Sequence, residues 1–297
     1  MPMSVMPSSL RRPAAVAALA LVATLAAPAA AQAHAPAPQP VVVHHHAPFA
    51  VRTTVVPKTA VKAFGGGVIY TPQDTGKPVL GAVVITPGFT NTNADEKELG
   101  QLVASQGFVA FVIDTLDTGD LPAQRATEIL AATDYLTGQS AVRSEVSAKD
   151  VGLIGYSFGG GGTMQAAQSR PSIKAAIGLM PFDVPPASDP HALYATYPKL
   201  TTPTLVITGQ KDEVARPKDF GKPAYDSIPA GTPKQYLELK GLDHSAGEHA
   251  PVAAIRNAVT AFLKRYLDGN SAYAKFICPA PKVGGPISVS LSSCPKG

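Results

Sequence analysis

The sequence predicts an α/β protein with a mostly parallel central sheet and helices on both faces of that sheet. Short apolar segments such as 79–86, 151–155 and 204–208 are typical of strands that are buried on both faces. Longer amphipathic segments lie between them, which is the alternation expected of βαβ units. With 297 residues, of which 45% are hydrophobic, the chain can also bury a large core.

The N-terminal residues 1–33 are predicted to be a secretory signal peptide. Arg11 and Arg12 precede an apolar run over 14–27, and residues 31–33 (AQA) then provide a small-residue cleavage site. The alternative is a transmembrane anchor, but a membrane span needs about 20 apolar residues and this run is shorter. We therefore expect an exported protein that has no membrane anchor.

Residues 34–50 are predicted to be a linker, because they are rich in proline and carry three adjacent histidines at 44–46. Adjacent histidines can bind a metal, but no partner residues stand at ligand spacing, so a solvated tail is favoured. Residues 51–297 are then expected to form a single domain. The formal net charge is +4 without a run of basic residues, which argues against a nucleic-acid partner.

Within this domain, strands and helices are predicted to alternate along the chain. The expected strands are 65–72, 79–86, 108–113, 151–155, 173–179, 204–208 and 235–239, and the expected helices are 95–106, 121–137, 158–170 and 251–267. Reactive groups in such sheets gather at the carboxyl ends of the strands. Ser157, Asp212 and His244 each follow such an end.

Residues 155–159 (GYSFG) match the G-x-S-x-G pattern at a predicted strand-to-helix turn. A turn of this kind strains the serine backbone, exposes its hydroxyl and needs glycine on both sides. The alternative is a phosphate-binding loop, but the segment lacks a G-K-[ST] sequence and an acidic residue placed for a ribose. We therefore predict that Ser157 is a nucleophile.

A serine hydroxyl needs a base, and His244 is the histidine that follows the last predicted core strand. His249 is the alternative base nearby, whereas the other histidines lie in the N-terminal segment or in the insertion around His191. The base in turn needs an acid that orients it. Asp212 follows the strand 204–208 and gives the chain order Ser, Asp, His. The other candidate acids are Asp114, Asp134, Asp183 and Asp243.

Two backbone amides are expected to stabilise the oxyanion of the reaction. One is the N–H of Phe158, which directly follows the nucleophile, and the other is the N–H of Phe89 in the loop 87–90 (PGFT). Near the C-terminus, Cys278 and Cys294 are predicted to form a disulfide, because export favours oxidised cysteines. Two free thiols are the alternative.

These motifs resemble those of the bacterial cutinases and PET hydrolases, which are secreted polyester hydrolases of the α/β-hydrolase fold. The resemblance covers roughly 55–297 and rests on 87–90, 155–162, the Asp212 and His244 loops, and the C-terminal cysteine pair. It implies an α/β-hydrolase fold with no evident lid, a triad of Ser157, Asp212 and His244, and an oxyanion hole at Phe89 and Phe158. It also implies substrate contacts at Phe89, Phe182 and Tyr156.

Some positions depart from the family pattern. The family usually has tyrosine where Phe89 stands, methionine at Phe158 and tryptophan at Phe182. Thermophilic members bind calcium through acidic residues where this chain has Gln210 and Lys240. We therefore expect no metal site and no cofactor.

The predicted function is that of a secreted, monomeric serine ester hydrolase that cleaves hydrophobic polyesters resembling cutin or PET. Its expected partner is a polymeric or bulky hydrophobic ester, because no charged specificity group and no long lid-forming insertion are evident. The first alternative is a lipase or carboxylesterase that acts on triglycerides or small soluble esters. The second is a secreted surface-binding protein without enzymatic activity.

Overall fold

The computed structural model describes residues 48–185, 195–248 and 251–294, in which nine strands form one sheet. In chain order the strands are β1 (Val51–Val56), β2 (Gly67–Pro72), β3 (Leu80–Thr86), β4 (Val109–Ile113), β5 (Val146–Tyr156), β6 (Ala175–Leu179), β7 (Thr204–Gly209), β8 (Lys234–Leu239) and β9 (Ile287–Ser293). Their order across the sheet is β1-β2-β4-β3-β5-β6-β7-β8-β9. All of the described residues fall within one unit, Pro38–Gly297.

The centre of the sheet is parallel and its margins are antiparallel. The neighbours from β4 through β3, β5, β6 and β7 to β8 pair in parallel. Strands β1 and β2 at one margin and β9 at the other pair antiparallel with their neighbours. The carboxyl ends of the parallel strands therefore share one edge, and the predicted fold class is confirmed.

Five α-helices cover the two faces of the sheet within the described residues. They are α1 (Lys97–Ser105), α2 (Pro122–Gly138), α3 (Phe158–Ser169), α4 (Gly221–Ser227) and α5 (Ala253–Tyr266). Buried residues of α2, α3 and α4 join one hydrophobic cluster, whereas those of α1 and α5 join another. The strands separate the two clusters, so both faces of the sheet are shielded from water.

Side-chain alternation along the strands explains why there are two clusters. In β3, Ala82 and Val84 belong to the cluster with α2 and α3, whereas Val83 and Ile85 belong to the cluster with α1 and α5. All four side chains are 0% exposed. A strand that must be apolar on both faces gives a continuous apolar run, which is why the parallel strands were predictable from the sequence.

The sequence prediction missed three elements and misjudged one length. Strands β1 and β9 lie at the two edges of the sheet, and β9 follows the segment that was expected to be the last strand. Helix α4 has only seven residues and contains both glycine and proline, which are poor helix formers. Strand β5 is eleven residues long rather than the five expected: it begins at Val146, which pairs with Leu80 of β3, and a register shift separates this pair from the regular pairing that starts at Val151.

Several sequence predictions concern residues outside the described ranges. These are the signal peptide, most of the linker with its three histidines, His191, and the alternative base His249. Within the described ranges, no helix is both long and apolar enough to cross a membrane.

Cys278 and Cys294 form a disulfide with an S–S distance of 2.06 Å, which confirms the predicted pairing. The bond joins the segment after the 3₁₀-helix Ser271–Phe276 to the end of β9. Because β9 is an edge strand that pairs on one side with β8, this link fixes its far end. The disulfide therefore supports the antiparallel margin of the sheet rather than its parallel centre.

We predict that replacing both cysteines, by Cys278→Ser and Cys294→Ser together, lowers thermal stability. The bridged residues are 16 apart, and closing a loop of that length stabilises by about 3 kcal/mol in the chain-entropy model. At ~2–4 °C per kcal/mol for a protein of this size, the melting temperature should fall by roughly 6–12 °C. Calorimetry with and without a reducing agent tests this, since the reductant should affect only the wild type. Equal melting temperatures would contradict it.

Candidate active site

Ser157 occupies a strained turn between the last residue of β5 and the first residue of α3. Its φ of 52° lies in a region that residues with a side chain rarely adopt. Three backbone hydrogen bonds hold it there: its N–H donates to Leu179, and its carbonyl accepts from Phe182 and Gly161. The turn thus fixes the direction of the hydroxyl, and Ser157 is 6% exposed.

Close backbone packing explains the two flanking glycines of the G-x-S-x-G pattern. A Cβ atom at Gly155 would lie 2.0 Å from the carbonyl oxygen of Gly159, and a Cβ atom at Gly159 would lie 2.3 Å from that of Thr86. Neither contact can form without a shift of the backbone. The pattern is therefore a packing requirement of this turn as well as a motif.

His244 connects Ser157 with Asp212 in one line of hydrogen bonds. Its Nε2 lies 3.0 Å from the Ser157 hydroxyl oxygen, and its Nδ1 lies 2.8 Å from Asp212 Oδ2. A carboxylate at Nδ1 favours a proton on that nitrogen, so Nε2 presents its lone pair to the hydroxyl. The arrangement can therefore remove a proton from Ser157.

The Asp212 carboxylate is held from both sides. Its Oδ1 accepts the backbone N–H groups of Val214 at 2.9 Å and Ala215 at 2.7 Å, while Oδ2 faces the imidazole. Its side chain is 0% exposed, against 17% for that of His244. Asp212 follows β7 and His244 follows β8, so adjacent strands place the two groups side by side.

The other four candidate acids have different partners. Asp114 accepts hydrogen bonds from Asn93, Asp134 from Arg170, Asp183 from Gln165, Tyr197 and Val184, and Asp243 from Ser245. Among the acids that the sequence singled out, Asp212 is thus the one bonded to His244.

The two predicted oxyanion donors, Phe89 and Phe158, lie close together, since their rings are 5.3 Å apart. Phe158 is the first residue of α3, and the N–H groups of a first helical turn have no acceptor within the helix. Phe89 belongs to residues 87–91, which we call the Phe89 loop. This loop is fixed by the bonds of Thr90 N–H to Thr118 and of Asn91 N–H to Gly88. The oxyanion role of the two N–H groups stays a prediction.

A buried arginine that the sequence analysis missed donates hydrogen bonds to the Phe89 loop and to the segment that packs on it. Arg125 is 0% exposed, and its guanidinium donates to the carbonyl oxygens of Pro87, Thr118 and Asp120 at 2.7–2.9 Å. A signal was available in the sequence, since Arg125 occupies the same face of α2 as Ile129. A charged residue on an apolar helix face indicates a specific buried partner.

Four phenylalanine rings form a continuous row beside Ser157. The ring centroids are 5.3 Å apart for Phe89 and Phe158, 5.1 Å for Phe158 and Phe182, and 4.2 Å for Phe182 and Phe220. Phe89 is 52% exposed, and the other three are half-buried. Phe220 was missed because it precedes the short helix α4, which no sequence pattern marks. The row offers a flat apolar surface next to the hydroxyl.

Tyr156 is buried and contacts His244. It is 3% exposed, its hydroxyl donates to the carbonyl oxygen of His244 at 3.2 Å, and its ring lies 5.2 Å from the imidazole. Burial raises the pKa of this hydroxyl, so it remains a hydrogen-bond donor. Tyr156 thus supports the turn that carries His244, and its contact with substrate stays a prediction.

A buried carboxyl group lies at the start of α1, close to this tyrosine. Glu96 is 0% exposed, and neither of its carboxyl oxygens has a hydrogen-bond partner. Burial, together with the negative charges of Glu248 and Asp95, raises the pKa of Glu96 well above its ordinary value of 4.5. The neutral acid is thus the form that this site favours.

The chain is similar to one described protein family and to several known hydrolases. The model of a family described as PET hydrolase-like matches residues 26–295. A bis(hydroxyethyl) terephthalate hydrolase of Streptomyces coelicolor is 40% identical over 250 residues, which cover 84% of this chain and 77% of that protein. Cutinase 1 of Thermobifida cellulosilytica is 38% identical over 252 residues, covering 84% of this chain and 92% of its own. A cutinase of Thermobifida fusca shows the same identity, with 80% of its length covered.

We predict that Glu96→Leu stabilises the fold. An unsatisfied buried polar group costs about 1–3 kcal/mol, and leucine removes that cost at similar volume. The gain should grow as the pH rises above 4.5, because the folded wild type keeps a proton on Glu96 that the unfolded chain has lost. Urea unfolding of the wild type and the variant at pH 5 and pH 8 measures both effects.

Glu98→Leu is the matched control, since Glu98 is an exposed glutamate on the same helix. It should change the unfolding free energy by no more than about 0.5 kcal/mol at either pH. Burial also raises the pKa of Glu128, to about 8, but that group is present in every variant and cancels in the comparison. A Glu96→Leu protein less stable than the wild type at pH 8 would contradict the prediction.

Proposed function

Because this chain belongs to the PET hydrolase-like family, we propose that it is a secreted serine hydrolase that cleaves hydrophobic polyesters at Ser157. The family membership makes the chain a carboxylic ester hydrolase. The observation that carries the assignment of residues is the line of hydrogen bonds from Asp212 through His244 to Ser157, at 2.8 and 3.0 Å. Among the described residues, His244 is the histidine in contact with a hydroxyl, that of Ser157.

The proposed reaction has two halves. In the first, His244 Nε2 takes the proton of Ser157 as its oxygen attacks the ester carbonyl, and the tetrahedral oxyanion faces the N–H groups of Phe89 and Phe158. The imidazolium then gives its proton to the departing alcohol, which leaves an acyl-enzyme. In the second, His244 activates a water molecule that releases the acid and restores Ser157.

Asp212 has a separate part in this scheme. Its charge stabilises the imidazolium that forms in each half, and its hydrogen bond keeps the proton on Nδ1. Because Val214 and Ala215 also bind the carboxylate, the acid needs no rearrangement during the reaction. This pre-formed arrangement is the main way in which such sites lower the barrier.

The row of phenylalanines supports a flat, apolar substrate. Phe89 is exposed at one end, and Phe182 stacks on Phe220 at the other, so successive ring or alkyl units can lie along the row. The related proteins are named as cutinases and as a bis(hydroxyethyl) terephthalate hydrolase, and these names are consistent with an apolar ester substrate. We therefore propose hydrophobic polyesters, aliphatic or aromatic, as the substrate class.

Secretion and a monomeric state complete the proposal. The N-terminal sequence has the features of a signal peptide, and the disulfide is typical of proteins that fold outside the cytoplasm. An exported enzyme meets polymers that cannot enter a cell, and an accessible row of rings suits a surface that cannot diffuse into a closed pocket.

We predict that Asp212→Asn abolishes most activity without unfolding the protein. Asparagine can still accept from Val214 and Ala215, but its amide would face Nδ1 and force the wrong imidazole tautomer. The kcat for p-nitrophenyl butyrate should fall by a factor on the order of 10³ or more.

Ser157→Ala should leave only the blank rate and should prevent labelling by a fluorophosphonate.

The matched control is Asp134→Asn, because Asp134 pairs with Arg170 beyond the far end of α3. It should retain wild-type kcat. If Ser157→Ala hydrolyses the ester as fast as the wild type, the proposed mechanism is wrong. If, in addition, the fluorophosphonate does not label the wild type, the alternative of a protein without enzymatic activity gains support.

The substrate class has its own test. Wild-type protein should release soluble products from films of an aliphatic and of an aromatic polyester faster than it releases fatty acid from emulsified long-chain triglyceride. The Ser157→Ala protein serves as the blank for both surfaces. A strong preference for triglyceride, or for bis(hydroxyethyl) terephthalate without film hydrolysis, would replace the polyester proposal with a lipase or a small-ester esterase.

A further inference from the structure

One side-chain hydrogen bond joins the two loops that face each other across the active site. Asn91 Nδ2 donates to Glu248 Oε1 at 2.8 Å, although the two residues are 157 positions apart in the chain. Asn91 ends the Phe89 loop, two residues after Phe89. Glu248 directly follows the 3₁₀-helix His244–Gly247, which we call the His244 turn.

The ring of Tyr156 separates these same two segments. One edge of the ring faces Gly88, where an added Cβ would lie 2.9 Å from ring carbons, and the opposite edge faces Gly247, where the distance would be 2.4 Å. The ring therefore sets a minimum separation between the Phe89 loop and the His244 turn. The bond between Asn91 and Glu248 sets a maximum.

Among the residues that the structure describes, the other hydrogen bonds that tie the His244 turn to the rest of the fold lie at its beginning. Lys211 N–H donates to Leu242 at 2.7 Å just before the turn, and Tyr156 donates to the His244 carbonyl. At its end, Glu248 N–H bonds back within the turn to Ser245, which does not connect it to another element. The side chain of Glu248 supplies the connection of this end to the Phe89 loop.

We propose that Asn91 and Glu248 are a pair of positioning residues, whose hydrogen bond holds the base His244 and the oxyanion donor Phe89 at the separation that the reaction needs. The inference rests on the function proposed above. Neither side chain has to touch the substrate, since each acts through the loop that carries it. Errors of about 1 Å in such a separation cost up to a factor of ~10² in rate.

The hydrogen bond has a defined donor and acceptor, so it can be tested by exchanging the two between positions 91 and 248. Asparagine is the donor and the glutamate oxygen is the acceptor. Glu248→Gln keeps an oxygen acceptor and should keep kcat within about twofold of the wild type. Asn91→Asp removes the donor and places two carboxylates together, so kcat should fall. The double variant, Asn91→Asp with Glu248→Gln, restores one donor and one acceptor in reversed order.

The experiment measures kcat and KM for p-nitrophenyl butyrate, with the melting temperature of every protein. We expect Asn91→Ala and Glu248→Ala each to lower kcat about tenfold with little change in KM. Their combination should be no worse than either alone, within about twofold, because both remove the same bond. The reversed pair should recover most of the kcat lost in Asn91→Asp.

Glu145→Ala is the matched control for Glu248→Ala. Glu145 is also half-buried and also accepts from a distant residue, Arg52, but it precedes β5 and so lies at the opposite end of the sheet from Ser157. This control should leave kcat unchanged even if it lowers the melting temperature.

The outcomes separate the two proposals. If the wild type is active while Asn91→Ala and Glu248→Ala keep its kcat, the positioning role is wrong and the proposed function stands. The same conclusion follows if the reversed pair is no faster than Asn91→Asp. If the wild type neither hydrolyses the ester nor reacts with a fluorophosphonate, the proposed function itself fails.

Discussion

The backbone of Ser157 is the constraint on which the rest of the site depends. A residue held in such a conformation costs of order 1–3 kcal/mol, which surrounding structure must offset. Here the offset comes from bonds to Leu179 at the end of β6, to Phe182 after it, and to Gly161 in α3. Ser157 is therefore in place only when β5, β6 and α3 are packed together, and a local turn in isolation would not hold it.

Buried polar groups carry this constraint outward from Ser157. Arg125 is bonded to three carbonyl groups, so its burial is compensated and it ties α2 to the Phe89 loop. Glu96 is the opposite case, because its burial is not compensated by any bond to its carboxyl group. Both lie near the active-site loops, yet Arg125 stabilises the surrounding fold and Glu96 destabilises it. Burial of a charged residue type is thus no guide to its effect until its partners are known.

The parts of the fold that follow from local pattern were predictable, and the parts that follow from distant pairing were not. The central strands could be predicted because burial on both faces demands a continuous apolar run, as in 79–86. Edge strands β1 and β9 need apolar residues on one face at most, so their sequences resemble loops.

The same distinction holds within the site. Ser157, Asp212 and His244 each follow a strand, and the shared edge of a parallel sheet then brings them together, which is a topological argument available from sequence. The bond of Asn91 to Glu248 and the row ending in Phe220 depend on side-chain packing between separate loops, for which one sequence contains no signal. The burial of Tyr156 and its bond to the His244 carbonyl are likewise features of the folded chain that the sequence analysis did not predict.

The three residues of the proposed triad are therefore not held equally. Ser157 is fixed by backbone bonds, and Asp212 by two amides and complete burial. His244 comes from a four-residue turn, has a 17% exposed side chain, and takes its position from side chains of other elements. Substitutions in the elements around His244 can therefore move this proposed base without disturbing the sheet. Differences in rate between proteins that share this triad are thus expected to arise around the base rather than at the nucleophile.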